Sequence, residues 1–288
     1  MGILFAVLNS VLLAVANVLL KKSFKDFSPA VSFFTFSLFA LVLWSLLGLK
    51  LGISFENIVL GFFVGGISAV FGQLIYIYVL SKGELSITAT ILSTFSIFTI
   101  LFSMLFNNER LDGLSLLFIL LAITGTVIVS LPEREQFKKK DLQNIHAISW
   151  AVFGAFCIGV ADTITKAYIT HTSVGSFLFY TSIAQFIISF IYLKLQKEKL
   201  NQFKLIIDNT KDYLYPLLGS MLIAVSTMCL FLAFNYTLAS IASPISATYP
   251  AITVVLALIF LKEKLSRKNM VGVLLVLIAI LGVGFINI

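Results

Sequence analysis

A carboxylate and an ammonium group lie inside an apolar stretch of this sequence. The segment GVADTITKAYIT, residues 159 to 170, places Asp162 and Lys166 four residues apart near the end of a long apolar run. In an α-helix this spacing, with the acid first, brings both side chains onto one face. Such a pair can neutralise itself, or it can bind a proton or a polar small molecule.

The composition indicates which solvent surrounds this pair. Of 288 residues, 59% are hydrophobic and only 11% are charged, whereas soluble domains average about 45 to 50% apolar and about 25% charged residues. The sequence also contains ten apolar runs, each long enough to cross a hydrocarbon core about 30 Å thick. We place them at residues 3–20, 29–49, 58–80, 86–106, 113–131, 147–170, 173–193, 213–236, 241–261 and 269–287.

Asp162 belongs to the sixth run, about eight residues or roughly 12 Å from its end at the usual helical rise. A carboxylate at this depth costs on the order of 2.5 kcal/mol or more unless it is paired or wet. Two hypotheses follow. Either Lys166 neutralises the acid and reaches toward the interface, or both side chains face a water-filled cavity that binds a polar substrate or a proton.

The basic residues predict the orientation of the chain. The formal net charge is +7, and seventeen of the twenty Lys and Arg residues follow the odd-numbered runs, in the short loops or at the run ends. This distribution favours contact with anionic lipid over nucleic acid binding. By the positive-inside rule the odd-numbered loops are cytoplasmic, so both termini lie outside the cell membrane.

The two halves of the chain resemble each other. STFSIFTILFSMLFNNERL (93–111) aligns without gaps on ATYPAITVVLALIFLKEKL (247–265). A basic linker, 132–146, then separates a first repeat (1–131) from a second (147–288). Each repeat contains five of the ten runs. Because this number is odd, the second repeat crosses the membrane in the opposite sense to the first, as in many secondary transporters. We therefore predict an all-α integral membrane protein with ten transmembrane helices in two inverted five-helix repeats.

The repeat adds candidate substrate or coupling residues. ANVLLKK (16–22) matches ADTITKA (161–167), so Asn17 and Lys21 correspond to Asp162 and Lys166. Gln73 follows the small residues of GGISAVFG, and a buried amide needs hydrogen-bond partners. The other candidates are Thr90, Ser93, Asn235 and Tyr249. For the hydroxyl groups, bonding to a backbone carbonyl is the alternative.

Three further segments carry structural predictions. GFFVG (61–65) has the spacing of a small-residue packing motif. Pro250 lies near the middle of the ninth run and should kink that helix, because proline has no amide hydrogen. KLNQFKLII suits a short interfacial helix or a solvated loop, with its apolar residues spaced by three at Leu200, Phe203 and Ile206.

Motifs for catalysis or metal binding are not found in the sequence. Cys157 and Cys229 lie inside apolar runs without a metal-ligand partner nearby. There is no HExxH motif, no pair of membrane aspartates and no nucleophile motif near His146 or His171. We predict no catalytic residue, no metal and no cofactor. A scaffold protein without transport activity remains an alternative, and a membrane-embedded enzyme is less favoured.

The segment SPISATYPAITVVLALIFLKEKLSRKNMVGVLLVLIAILGVG (243–284) resembles the helix 9 to helix 10 signature of EamA-type members of the drug/metabolite transporter superfamily. The matching positions are Pro244, Pro250, Glu263, Gly272 and Gly282. The first repeat shows the signature more faintly, through Glu109 and Gly125, and has Thr90 and Ser96 in place of the two prolines.

This resemblance implies a secondary carrier, often an exporter, with a cavity lined by helices 1, 3, 4, 6, 8 and 9. Proton coupling or exchange is common in such carriers. Members are usually drawn with cytoplasmic termini, opposite to the charge-based prediction. The expected partners are the lipid bilayer and a small polar or amphipathic metabolite such as an amino acid or nucleoside. The sequence leaves the oligomeric state open, a homodimer included.

Overall fold

The protein is described by a computed structural model that covers residues 1–24, 27–82, 85–130, 141–198, 210–253 and 267–286. Helices and their connections account for these residues, which contain no strand. Seven helices in this part of the chain are long and apolar enough to cross a membrane. Two shorter apolar helices span Gly113–Ile128 and Met270–Val283. The described fold is therefore all-α.

The helices follow the predicted runs, with three of the runs interrupted. A π-helical segment, Ser68–Leu74, joins α3 to α4 within the third run. The helices are α1 Gly2–Ser23, α2 Pro29–Leu51, α3 Ile58–Ile67, α4 Ile75–Lys82, α5 Leu85–Ser93, α6 Phe95–Phe106, α7 Gly113–Ser130, α8 Asp141–His171, α9 Val174–Leu195, α10 Thr210–Tyr236, α11 Ala239–Ser246 and α12 Arg267–Ile286.

Some predictions concern residues outside the described ranges. These include the interfacial helix with Leu200, Phe203 and Ile206, the second half of the ninth run, and Glu263. At the repeat boundary, α8 begins at Asp141, so this helix includes the last residues of the segment that we predicted as a linker.

Side-chain caps explain where several helices begin. The hydroxyl of Ser173 accepts a hydrogen bond from the Ser176 amide at 3.0 Å at the start of α9. Asp112 precedes α7, and its carboxylate accepts from the amides of Leu114 and Ser115 at 3.1 Å each. Two hydrogen bonds from Ser115 lower the pKa of the exposed Asp112 carboxyl. The bond from the Ser115 side chain has the larger effect, and the bond from its amide the smaller. Each cap satisfies amides that have no partner within the helix.

The helix contacts relate the two halves of the chain. The most extensive contacts pair α1 with α10, α2 with α9, and α7 with α12, one helix from each half. The contact of α5 with α8 corresponds to that of α11 with α1 when the halves are exchanged. This pattern is the one expected of two related five-helix units that interlock.

Glycines allow the third run to approach α9 closely. A Cβ atom at Gly61 would lie 2.4 Å from Cδ2 of Tyr180, and one at Gly65 would lie 2.8 Å from Cα of Thr181. Both distances are too short for a carbon contact. The prediction that GFFVG is a packing motif is therefore confirmed.

We expect Gly65→Ala to lower the free energy of unfolding by about 1 to 3 kcal/mol, because the added methyl group meets the backbone of α9. Gly66→Ala is the matched control, since its nearest neighbour would be Cδ1 of Ile188 at 3.8 Å, an ordinary contact. Thermal unfolding in detergent compares the two variants. Equal stability of both would show that close packing at Gly65 is unimportant.

Candidate functional site

A cavity lies between the two halves of the protein. Its lining comes from the first, third, fourth, sixth, eighth and ninth runs, the six that the family resemblance implied. The polar part of the lining consists of Asn9, Ser68, Gln73, Tyr76, Asp162, Thr227 and Ser246. The cavity volume is about 40 Å³, whereas ligand pockets usually measure about 300 to 1,000 Å³. This conformation therefore has room for water but not for a metabolite.

Asp162 lies on the wall of this cavity and is only 5% exposed. Its Oδ2 accepts hydrogen bonds from the hydroxyl of Ser243 at 2.8 Å and the hydroxyl of Thr99 at 3.3 Å. Thr99 belongs to α6 and Ser243 to α11, so the carboxylate joins one helix from each half. Both donors bind Oδ2, which leaves Oδ1 without a protein donor among the described residues.

The ammonium group of Lys166 binds backbone carbonyls and not the carboxylate of Asp162. Its ammonium group donates hydrogen bonds to the carbonyl oxygens of Phe234 at 2.6 Å and Thr237 at 2.9 Å. These carbonyls lie at the C-terminal end of α10, where a positive charge is favourable. The described contacts thus contradict the hypothesis of a self-neutralising pair, although the helical spacing brings both residues onto one face.

Lys21 makes the corresponding contact in the first half. Its ammonium group donates to the carbonyl oxygen of Leu80 at 2.9 Å, near the end of α4. Leu80 and Phe234 occupy matching positions when the two halves are aligned, as do Lys21 and Lys166. Both lysines therefore fasten the end of one helix within their own repeat.

We expect Lys166→Met and Lys21→Met each to lower the free energy of unfolding by roughly 1.5 to 3 kcal/mol, because a charged donor is removed from helix-end carbonyls. Lys50→Met serves as the control, since Lys50 is exposed at the end of α2. Chemical or thermal unfolding in detergent measures the effect. Unchanged stability of both lysine variants would contradict the fastening role.

Tyr249 and Asn17 lie behind the cavity wall. The amide of Asn17 contacts the Tyr76 hydroxyl through both of its polar atoms, at 2.7 and 2.9 Å. Tyr249 is fully buried, donates to the carbonyl oxygen of Ala89 at 2.8 Å, and meets the Tyr76 ring edge-on at 6.4 Å between centroids. Both residues therefore support Tyr76, which itself lines the cavity.

The other predicted site residues lie in different places, one on the cavity wall and the rest away from it. Gln73 lines the cavity from the π-helical segment, a rare element that often occurs at functional sites. Thr90 and Ser93 are buried in α5, where the Ser93 hydroxyl donates to the Thr90 carbonyl at 2.7 Å. Asn235 is exposed near the end of α10. Among the eight predicted residues, only Asp162 and Gln73 lie on the cavity wall as described.

The helix of the ninth run is interrupted just before Pro250. α11 ends at Ser246, a turn follows, and the chain is helical again at 249–253. The carbonyl of Ser246 has no donor four residues later, because Pro250 lacks an amide hydrogen. The fourth run has the same interruption between α5 and α6 at Thr94, although Ser96 replaces the proline there. The break thus does not require proline.

Asn9 is a cavity residue that we did not predict. Its amide nitrogen donates to the carbonyl oxygen of Ser226 at 2.8 Å and to the Ser226 hydroxyl at 2.9 Å. Its amide oxygen accepts a hydrogen bond from Ser246. Asn9 therefore joins α1 to α10 and α11, across the two halves. A buried amide in an otherwise apolar run was the sequence signal that could have revealed it.

Glu109 is the second residue whose role we did not predict. The side chain is 6% exposed. One carboxylate oxygen accepts from the amide of Ala239 at 2.9 Å, and the other accepts from the amide and hydroxyl of Ser240 at 2.9 and 2.6 Å. Glu109 thus caps α11, where a negative charge is favourable, and connects the first half to the second.

Comparison with known proteins identifies the family. A model described as the EamA-like transporter family matches residues 1–131 and 145–285. The chain belongs to this EamA-like transporter family. The resemblance seen in the sequence is thereby confirmed, and this EamA-like transporter is an all-α, multi-pass integral membrane protein built from repeats.

Two similar proteins add to this result. This EamA-like transporter is 36% identical over 77 residues to an uncharacterized protein of Methanocaldococcus jannaschii. The match covers 27% of this chain and spans 56% of that relative's length. A crystal structure of another protein matches with a TM-score of 0.72 at 15% identity, covering 98% of this chain and 96% of the other. The latter likeness shows a shared fold.

Proposed function

We propose that this protein is a secondary active transporter of small polar or amphipathic metabolites that works by alternating access and functions as an exporter. The observation that carries this proposal is Asp162, a nearly buried carboxylate on the wall of a membrane-embedded cavity formed by both halves. Ionisable residues at such depth are expensive to place, and they mark substrate or proton pathways. Transport of the metabolite is driven by coupled movement of protons or by exchange for another solute.

The proposed mechanism begins from the small cavity described above. To admit a metabolite, the helices must move apart, and the interruptions at Thr94 and before Pro250 are suitable hinges. Asp162 contacts α6 and α11, the helices next to these interruptions. A proton or an amine on its carboxylate alters these two hydrogen bonds. We infer that binding at Asp162 thereby biases the positions of both helices.

The other residues have supporting roles in this proposal. Gln73 contacts the substrate from the π-helical segment. Tyr249 and Asn17 hold Tyr76 in place, and Lys166 fixes the end of α10 instead of tuning the charge of Asp162. Amino acids, nucleosides and amines are the substrate classes with which the search should start, because the cavity wall offers hydroxyl, amide and aromatic groups beside one carboxylate.

Reconstitution tests the proposed function. Purified protein in liposomes is given a mixed pool of amino acids, nucleosides and amines under a proton gradient of either direction, and retained compounds are identified by mass spectrometry. Accumulation above protein-free liposomes is the expected result. If folded protein accumulates nothing in either direction, the scaffold alternative is favoured.

The topology forms a separate part of the proposal. We infer that residues 1–131 and 147–288 are the two repeats and that both termini are extracytoplasmic in the cell membrane. Single cysteines replace Glu56, in an even-numbered loop, and Glu198, in an odd-numbered loop, after Cys157 and Cys229 are changed to alanine. A membrane-impermeant thiol reagent should label the first in intact cells and the second only after permeabilisation. The reverse labelling would place the termini inside.

A further inference from the structure

We propose that the transported substrate is a small monocation, an amine whose remaining part is apolar or hydroxylated. This inference rests on the proposed transport function and narrows it to one class of substrate. The charge of the cavity wall and the hydrogen bonds of Lys21 and Lys166 indicate this class of substrate.

The charge of the described cavity wall is negative. Asp162 is the only formally charged side chain among the described lining residues. The other polar groups are neutral amides, hydroxyls and a phenol. Because the described neighbours donate only to Oδ2, Oδ1 is available to a ligand that brings its own N–H donors. An ammonium group supplies both these donors and the opposite charge.

The lysines that could have served an anionic ligand are used elsewhere. Lys166 donates to the carbonyls of Phe234 and Thr237, and Lys21 donates to the carbonyl of Leu80. A carboxylate or phosphate in the cavity would therefore face Asp162 without a compensating cation on the described wall. Such a desolvated and unpaired anion is strongly disfavoured. Zwitterionic amino acids share this difficulty through their carboxylate.

The remainder of the wall suits the body of an amine. Tyr76, Phe95 and Phe231 line the cavity with aromatic rings, which attract cations by their faces and accept hydrocarbon. The Phe231 ring is held edge-on by Trp44 at 5.3 Å and by Phe177 at 4.8 Å between centroids. Because the Asn9 amide is already committed to Ser226 and Ser246, Gln73 is the lining amide best placed to accept from an ammonium group.

Compounds that share a ring system and carry substituents of different charge provide the test. Tyramine, tyrosol, tyrosine and 4-hydroxyphenylacetate share a phenol ring and carry a positive, neutral, zwitterionic or negative substituent. A second series uses tryptamine, tryptophol, tryptophan and indole-3-acetate. The substrate found in the mixed-pool assay is labelled, and its transport into proteoliposomes is measured in the presence of each compound as a competitor. We expect that this substrate is itself an amine and that only the amines of both series compete. In Asp162→Asn, thermal shifts should show amine binding weakened about tenfold or more.

Glu56→Gln removes an exposed carboxylate from a loop and should leave amine binding unchanged. If the accumulated compounds are amino acids, nucleosides or anions, or if the zwitterions compete as well as the amines, the cation inference is overturned while the transport proposal stands. If no compound of any class accumulates, the transport proposal fails, and the inference fails with it.

Discussion

We expect Asp162→Asn to abolish coupled transport but to leave the protein folded. Asparagine keeps the shape of the side chain and can still accept hydrogen bonds from Ser243 and Thr99, so the contacts of Oδ2 survive. It cannot carry a negative charge or exchange a proton at neutral pH. We therefore expect gradient-driven accumulation to fall to the level of protein-free liposomes, at least about 100-fold below the wild-type rate, which corresponds to roughly 2.7 kcal/mol.

Two controls make this result specific to the carboxylate in the cavity. Asp162→Glu restores the charge and should retain measurable transport, whereas Glu56→Gln removes a charge outside the cavity and should have no effect. Transport is measured in proteoliposomes, and folding is checked by thermal unfolding in detergent. Wild-type transport by Asp162→Asn would exclude a coupling or binding role for this residue.

We expect Glu109→Ala to open one end of the cavity and to destabilise the protein. The substitution removes the acceptor of three hydrogen bonds at the start of α11 and leaves the amides of Ala239 and Ser240 without their carboxylate partner. Each buried donor that loses its partner costs about 1 to 3 kcal/mol. We expect the free energy of unfolding to fall by about 2 to 4 kcal/mol.

The opening can be followed with a cysteine on the cavity wall. In a protein whose native cysteines are replaced, Gln73→Cys should react faster with an impermeant thiol reagent when Glu109→Ala is also present, and only from the face that carries residue 109. Arg110→Ala is the matched control, because this neighbouring side chain is exposed. Equal reactivity and equal stability with and without the Glu109 substitution would show that the cap does not hold the two halves together.

Much of the architecture could be predicted from composition and pattern. Length and hydropathy of the apolar runs are local properties, so they identified the membrane helices without any knowledge of neighbours. The odd number of runs in each half then implied the inverted repeat. Asp162 and Gln73 were likewise recognisable, since an acid or an amide inside an apolar run must find partners or water.

The contacts of these residues were not predictable. Helical spacing told us that Asp162 and Lys166 share one face, but the partners of Lys166 are backbone carbonyls, which every residue possesses and no sequence pattern marks. The role of Glu109 could not be predicted for the same reason, because its carboxylate accepts hydrogen bonds from backbone amides of another helix. The interruption at Thr94 was also unforeseen, because no proline signals it.

The sequence thus established the class of the protein, its repeats and the carboxylate that most needs an explanation, because these depend on local composition and on the length of the runs. The assignment of each polar side chain to the cavity, to a helix end or to the lipid-facing surface depends on which helices of the two halves lie together. That arrangement joins residues separated by more than 200 positions, as Asn9 and Ser226 show, and it required the folded chain.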